Sequence, residues 1–179
     1  IEAQDISFDL ALGNVRENGL GERVRVFHGD LREMTRDWPH GACDLVTGTP
    51  PYLPLGTASA SPDPQRAAAR IELRGGIEDY LAAAARVLSP AGVFVACADG
   101  RHPDRVIRGA AAAGLVPVRR VDIVPREGRP PLFSVWTCAR SSRSAFEHTT
   151  VVMRDAQGAR TDASQAMREA FGLGGKVGP

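Results

Sequence analysis

Four consecutive residues, Thr49-Pro50-Pro51-Tyr52, carry the groups needed to hold a planar, amino-bearing molecule. They follow a short apolar run, Cys43-Asp44-Leu45-Val46-Thr47-Gly48, that reads as a buried strand. Each proline fixes its own φ and lacks an N–H, and each holds the residue before it in extended geometry. The carbonyls of Thr49 and Pro50 are thereby held still, outside a regular ladder. Such a ledge can accept hydrogen bonds from an amino group while the Tyr52 ring stacks on the plane that carries it. The same four residues also suit a plain proline-rich strand exit with a half-buried tyrosine, so the rest of the chain must separate the two.

Two acids stand at comparable places. Glu2 ends a strand-like start, Ile1-Glu2-Ala3-Gln4, and Asp30 follows the short strand Val24-Arg25-Val26-Phe27 in His28-Gly29-Asp30-Leu31. In open α/β sheets, ligands bind beyond the carboxyl ends of the strands. A carboxylate there can grip ribose hydroxyls with both oxygens, as Glu2 could. Asp30, beside the Leu31 N–H, can read the edge of an adenine ring. With the ledge as a third strand exit, the series points to a nucleoside-containing cofactor next to a second planar substrate.

These residues need elements to position them. A helix is expected to open at Asp5 or Ser7 and to stop at Asn18-Gly19-Leu20-Gly21. A short helical turn is expected over 31–37. Residues 53–66 are rich in Pro, Ser, Ala and Gly without periodicity and read as a long loop directly after the ledge. Helices follow over 77–88 and 103–113, the first stopped by Ser89-Pro90-Ala91-Gly92 and the second by Gly114. Strands are expected over 93–98, 116–124 and 132–139. The last two lack room for a helix between them and should pair antiparallel. An edge strand over 150–153, a helix over 162–171 and a loose tail from 172 complete the chain. The alternation describes an open, doubly wound, mostly parallel α/β sheet with a C-terminal antiparallel hairpin, as one domain over 1–171.

The 179 residues suffice for one real core, and 43% hydrophobic with 24% charged residues is ordinary for a globular protein. No apolar run approaches a membrane span, and no signal peptide is visible. Cys43, Cys97 and Cys138 lie in apolar runs without a CxxC, and His28, His40, His102 and His148 show no ligand or triad spacing. No metal is expected, and the cysteines read as buried free thiols of a cytoplasmic protein. Trp38 and Trp136 read as packing residues. The net charge of +1 is uneven: residues 1–65 hold 5 basic and 10 acidic side chains, and 66–179 hold 17 and 11. That asymmetry suits a polyanion approaching one side, or a solvated arginine-rich surface. Arg66, Arg70 and Arg74 are four apart and would share one helical face if 64–74 were helical, and Arg126 and Arg129 flank a Pro/Gly-rich hairpin loop.

Strand–Glu, Gly-Asp-Leu and Xaa-Pro-Pro-Tyr, in this order, resemble the motifs of class I S-adenosylmethionine-dependent methyltransferases that modify amino groups. The stretch Pro64-Gln65-Arg66-Ala67-Ala68-Ala69-Arg70, with Arg154-Asp155-Ala156-Gln157-Gly158-Ala159-Arg160-Thr161, resembles the bacterial enzymes that methylate an adenine N6 beside the anticodon of valine tRNA. The resemblance runs from Ile1 to about Phe171. It implies S-adenosylmethionine as cofactor, held by Glu2, Asp30, Leu31 and Thr49. It implies tRNA as partner, touched by Arg66, Arg70, Arg74, Arg126 and Arg129. It gives Thr49, Pro50, Pro51 and Tyr52 the target base. The implied chemistry is positioning and electrostatics: two fixed acceptors draw an aniline-like nitrogen toward tetrahedral geometry, and stacking aims it.

Two departures from that family stand out. Thr49 replaces the usual Asn, offering a shorter hydroxyl acceptor. The glycine-rich loop for the methionine part would lie before Ile1, so weak cofactor binding is expected of the 179 residues alone. The rival expectations are methylation of a glutamine side chain in a release factor, which uses a similar ledge, and a non-catalytic RNA-binding remnant.

Overall fold

The structure is a computed structural model that describes residues 1–54, 56, 63–141 and 144–173. The chain starts with an extended segment in which Glu2 bridges His28 in parallel: the Glu2 N–H donates to the Phe27 carbonyl and the Gly29 N–H to the Glu2 carbonyl, both at 2.9 Å. Helix α1 (Asp5–Glu17) lies between the two segments. Its N-cap is Gln4, which makes no side-chain capping bond, so neither Asp5 nor Ser7 opens the helix from outside. It ends at Asn18, followed by Gly19 at φ 63°, a left-handed conformation that glycine adopts without cost. Residues 24–27, expected as a short strand, form no ladder among the described residues; the pairing with the chain start is the single bridge at His28. α1 buries no residue, and Ile6 and Leu10 stay exposed.

Helix α2 (Leu31–Met34) leads to strand β1 (Cys43–Gly48). Helix α3 (Pro64–Arg70) stops at Ile71, which is extended, so the helix does not reach Arg74 and the expected three-arginine row does not form. Half of the expected 53–66 loop, residues 55 and 57–62, lies outside the described residues; of the rest, Leu53 bridges Ile71 and residues 64–66 are already the first turn of α3. Helix α4 (Ile77–Val87) is capped by Asp79, whose carboxylate accepts the Gly76 N–H at 3.1 Å. It buries Ile77, Leu81, Ala84 and Val87, one stripe at helical spacing. Pro90 keeps Ser89 extended, and strand β2 (Leu88–Asp99) begins at once, five residues earlier than the apolar pattern implies. Helix α5 (Pro103–Ala112), strands β3 (Val116–Val124), β4 (Phe133–Ala139) and β5 (Glu147–Val152), and helix α6 (Asp162–Ala170) follow.

The sheet has the order β1-β2-β4-β3-β5. β1 and β2 pair in parallel with Thr47 beside Val95, and β3 and β5 pair in parallel with Val121 beside Thr149. β4 runs against both its neighbours, with Trp136 across from Ala96 on one side and Arg120 on the other. Four of the five strands therefore point the same way, and the expected antiparallel hairpin is inserted into the sheet rather than appended to its edge. α4 and α5 cover one face, where Leu81, Val106, Ala110, Leu115, Phe94, Trp136 and Cys138 form the core. Burying each large apolar side chain contributes roughly 1.5–3 kcal/mol, and this layer holds the carboxyl ends of β1 and β2 in place. Cys138 is buried, its thiol pushed up to about 12 by burial, whereas Cys43 and Cys97 are only partly buried. Trp136 packs in the core, as expected, with the Arg120 guanidinium 5.2 Å from its ring centroid. No helix among the described residues is long and apolar enough to cross a membrane.

Candidate active site

The ends of the first strands converge. Glu2, Gly29, Asp30, Leu31, Thr47, Gly48, Thr49 and Pro51 line one cleft of about 410 Å³. Its far wall comes from Ala68 and Ala69 of α3 and from Arg74 and Gly75 after it. Two bonds staple that wall to the start of the chain: Gln65 Nε2 donates to Ser7 Oγ at 3.0 Å, and Arg74 Nη1 donates to the Ala3 carbonyl. Arg74 thus sits in this cleft, away from Arg66 and Arg70.

Each acid has a defined state. One Glu2 oxygen accepts the Gln4 N–H at 2.8 Å, and the other makes no bond among the described residues. Asp30 is the N-cap of α2, accepting the Arg32 N–H at 2.9 Å and a forked guanidinium contact from the same residue. Arg32 holds the Asp30 carboxyl below its ordinary range despite some burial. The Leu31 N–H, first in α2, makes no bond among the described residues, and Leu31 lines the cleft. At the base stands Tyr80 of α4, its phenol pushed up by burial and then by the Glu2 and Asp30 charges. The Tyr80 ring lies against Gly48, where a Cβ would meet it at 2.7 Å. Periodicity marked Tyr80 only as a helical residue, and nothing local in the sequence pairs it with Gly48.

The ledge divides this cleft from a second one. Pro50 is fully buried, lines neither cleft and acts as the anchor. Thr49 is exposed at the first cleft, and Tyr52 is 42% exposed at the second. The ledge is fixed behind Tyr52 by a parallel bridge: the Leu53 N–H donates to the Arg70 carbonyl at 3.1 Å, and the Glu72 N–H to the Leu53 carbonyl at 3.0 Å. The second cleft, of about 740 Å³, is lined by Tyr52, Ala69, Arg70, Asp99, Arg101, Arg126 and Arg129 together with prolines of the β3–β4 loop. Ala69 lines both clefts. Arg126 Nη2 donates to the Ala156 carbonyl, while Arg66 lines neither cleft and pairs with Asp63 at 3.6 Å. Sequence reading did not single out Asp99 and Arg101. The visible signal was a repeated Asp-x-Arg at two strand ends, Asp30-Leu31-Arg32 and Asp99-Gly100-Arg101.

Three of the four histidines contact aspartates, and one of these, Asp99, lines the second cleft. His28 pairs with Asp5 at 3.0 Å, His102 with Asp99 at 3.1 Å and His148 with Asp122 at 2.8 Å. Trp38, Phe27 and His40 pack together. Among the described residues no group of His, Cys, Asp and Glu could hold a metal ion.

No family model matches the chain. It is 26% identical over 131 residues to the tRNA1(Val) (adenine(37)-N6)-methyltransferase of Bacteroides fragilis, covering 73% of this chain and 54% of that protein. To the protein of that name in Actinobacillus pleuropneumoniae it is 23% identical over 175 residues, covering 97% and 70%. To the ribosomal protein uL3 glutamine methyltransferase of Bordetella pertussis it is 34% identical over 104 residues, covering 53% and 34%. The chain thus spans between a third and seven tenths of these relatives' lengths. Among solved structures, a protein described as a predicted O-methyltransferase from Agrobacterium tumefaciens superposes with a TM-score of 0.65 at 15% identity, covering 96% of this chain and 76% of that one. The chain has the class I methyltransferase fold, and its relatives by sequence are S-adenosylmethionine-class methyltransferases. Within that class it is similar to the tRNA1(Val) adenine-N6 enzymes over most of its length.

The residues of the first cleft fit that cofactor. A half-free Glu2 carboxylate suits a ribose diol, an open Leu31 N–H suits an adenine acceptor, and the volume lies in the range of small-molecule sites. Arg32 already occupies the Asp30 carboxylate, which is thereby engaged in fixing the turn at Leu31.

Proposed function

We propose that this chain is the catalytic part of an S-adenosylmethionine-dependent N-methyltransferase acting on the exocyclic amino group of an adenine in tRNA. The observation that carries the reading is the rigid Thr49–Tyr52 ledge standing between a carboxylate-lined cleft and an arginine-lined one. S-adenosylmethionine, when bound, supplies a methyl activated by its sulfonium.

The chain's own residues position the acceptor. Thr49, exposed at the boundary, accepts a hydrogen bond from the amino group and draws its lone pair out of ring conjugation. Buried Pro50 keeps that acceptor from moving. Tyr52 stacks on the base, which has to leave its own stack to enter. Arg70, Arg126 and Arg129 line the same cleft and suit the phosphates on either side of the base, Arg126 while also donating to the Ala156 carbonyl, whereas Arg66 lines neither cleft and pairs with Asp63. Arg74, on the cofactor side, would act on the bound cofactor rather than on RNA.

A second reading keeps the ledge and exchanges the adenine for a glutamine side-chain amide. The matches at 31–34% identity to ribosomal protein glutamine methyltransferases favour it. The arginine-lined cleft favours RNA. Incubating the protein, extended to the length of its relatives, with labelled cofactor and either unmodified tRNA or ribosomal protein separates the two. Label in an N6-methyladenosine digest supports the first reading, and label only in glutamine overturns it. In that assay Tyr52→Ala is expected to lose about 1–3 kcal/mol of base binding, appearing mainly in KM, with Tyr52→Phe close to wild type. Equal loss in both variants would remove stacking from the account.

A further inference from the structure

Asp99 is the last residue of β2, a strand paired on both sides, and it is 7% exposed. Its carboxylate gathers the Arg101 N–H at 3.0 Å, the Arg101 Nε at 2.9 Å and the Arg101 Nη2 at 2.8 Å, and it touches His102 Nδ1 at 3.1 Å. The Arg101 backbone and side chain are therefore both fixed to one rigid point. A guanidinium has five N–H donors. Held along its Nε–Nη2 edge, Arg101 still has both donors of Nη1 and the second donor of Nη2. These form another forked edge, directed away from Asp99, and the shape matches a phosphate's oxygens. Arg101 is 61% exposed along its side chain and lines the cleft that holds Tyr52, Arg70 and Arg129.

Resting on the RNA reading above, we propose that Arg101, oriented by Asp99, is a phosphate-binding residue that fixes the RNA backbone beside the base stacked on Tyr52. The other arginines lining the cleft sit at the end of α3 (Arg70) or in the β3–β4 loop (Arg126 and Arg129). Arg101 is tied directly to the sheet that also carries the ledge. That common support sets the distance between the gripped phosphate and the base, which a mobile surface arginine does not do. Asp99 is a positioning residue, acting through Arg101.

The test is fluorescence anisotropy of the 179-residue chain with a labelled RNA hairpin of anticodon-arm size, over a salt series, with thermal melts to confirm folding. Arg101→Gln is expected to weaken binding about tenfold and to reduce the salt slope by about 0.7–0.9, one phosphate contact. Arg101→Lys keeps the charge but not the fork, and is expected to lose most of the same affinity. Arg108→Gln removes an equal charge on α5, where Arg108 pairs with Asp104, and is expected to leave binding near wild type. Asp99→Asn removes a negative charge from the cleft, so charge alone would tighten binding. Positioning requires that it weakens binding, and that it adds nothing in the Arg101→Gln background. Equal effects of the Arg101 and Arg108 variants, or tighter binding by Asp99→Asn, would overturn the proposal while leaving the RNA reading intact. A wild-type chain without salt-dependent RNA binding would sink both.

Discussion

The contact between Gly48 and Tyr80 couples the ledge to the core. Gly48 is the last residue of β1, and Thr49 follows it. A methyl group there would lie 2.7 Å from the Tyr80 ring, which packs against the buried cluster and closes the bottom of the first cleft. Gly48→Ala must push either the ring into the cleft or the strand end away from it. Overpacking of this kind costs about 1–3 kcal/mol, so the urea midpoint should fall and cofactor binding should weaken together. Adding Tyr80→Leu should recover part of the stability but not the cleft's shape. If Gly48→Ala leaves both quantities unchanged, Tyr80 is not the base of the site. The neighbouring Thr49 makes a different prediction, because its hydroxyl is the side-chain acceptor that the ledge places at the first cleft. Thr49→Val keeps the shape and removes the acceptor, and should lower kcat about 10²-fold at little cost in stability. An unchanged kcat would assign the amino group to another acceptor.

At the scale of elements, the second wall of the site depends on Arg105. From α5 it reaches Glu72 at 2.7 Å and Glu78 at 2.7 Å, joining the segment after α3 to α4. The two carboxylates hold its guanidinium above its ordinary range. Arg105→Met would leave Glu72, 13% exposed, without its partner. Breaking a fully buried pair costs 3–5 kcal/mol, and the half-open Glu78 side reduces that to about 2 kcal/mol. Hydrogen exchange should speed up at Leu53 and Glu72, whose N–H groups form the bridge behind Tyr52. Exchange that stays at the wild-type rate there would mean the bridge stands without the clip. None of this clip was legible in the sequence, since Arg105 lies 33 and 27 residues from Glu72 and Glu78 and all three types are common on surfaces. What was legible had local causes. α4 and α5 carried stripes at helical spacing, Gly114 and Pro103 marked ends, and the β3–β4 connection was too short for a helix. The α3 boundary was not legible, because Ile71-Glu72-Leu73-Arg74 continues a helical pattern and only its pairing with Leu53 makes it extended. The ledge and both acids were found from strand-exit position. Asp99 and Arg101 escaped because their strand end carries no proline or glycine-aspartate signature.

For the molecule as a whole, the charge asymmetry becomes a pH dependence. Three carboxylates at strand ends or in the sheet are held below the ordinary range, each by arginine or by several donors. Asp99 is lowered first by Arg101, against some burial. In Asp30 the Arg32 bonds outweigh burial. Burial works to raise Asp122, but bonds from Ser134, Arg120 and His148 outweigh it. A carboxylate lowered in the folded state stays ionised there while its unfolded counterpart takes up a proton near about pH 4. The stabilisation is therefore fully present above that value and is lost as pH falls through it toward the folded pKa values. The urea midpoint should be nearly level from pH 7 to about pH 5 and drop steeply below about pH 4. Asp122 ties three strands together, accepting from Ser134 on β4 and meeting His148 on β5. Asp122→Asn should lower stability at neutral pH and make the acid drop shallower, because one of the proton-linked groups is gone. The β5 edge should also show the earliest exchange on acidification, since its link to β3 through His148 depends on the ionised carboxylate. An Asp122→Asn protein whose acid drop is as steep as the wild type's would show that Asp122 is not among the groups whose protonation unfolds the sheet.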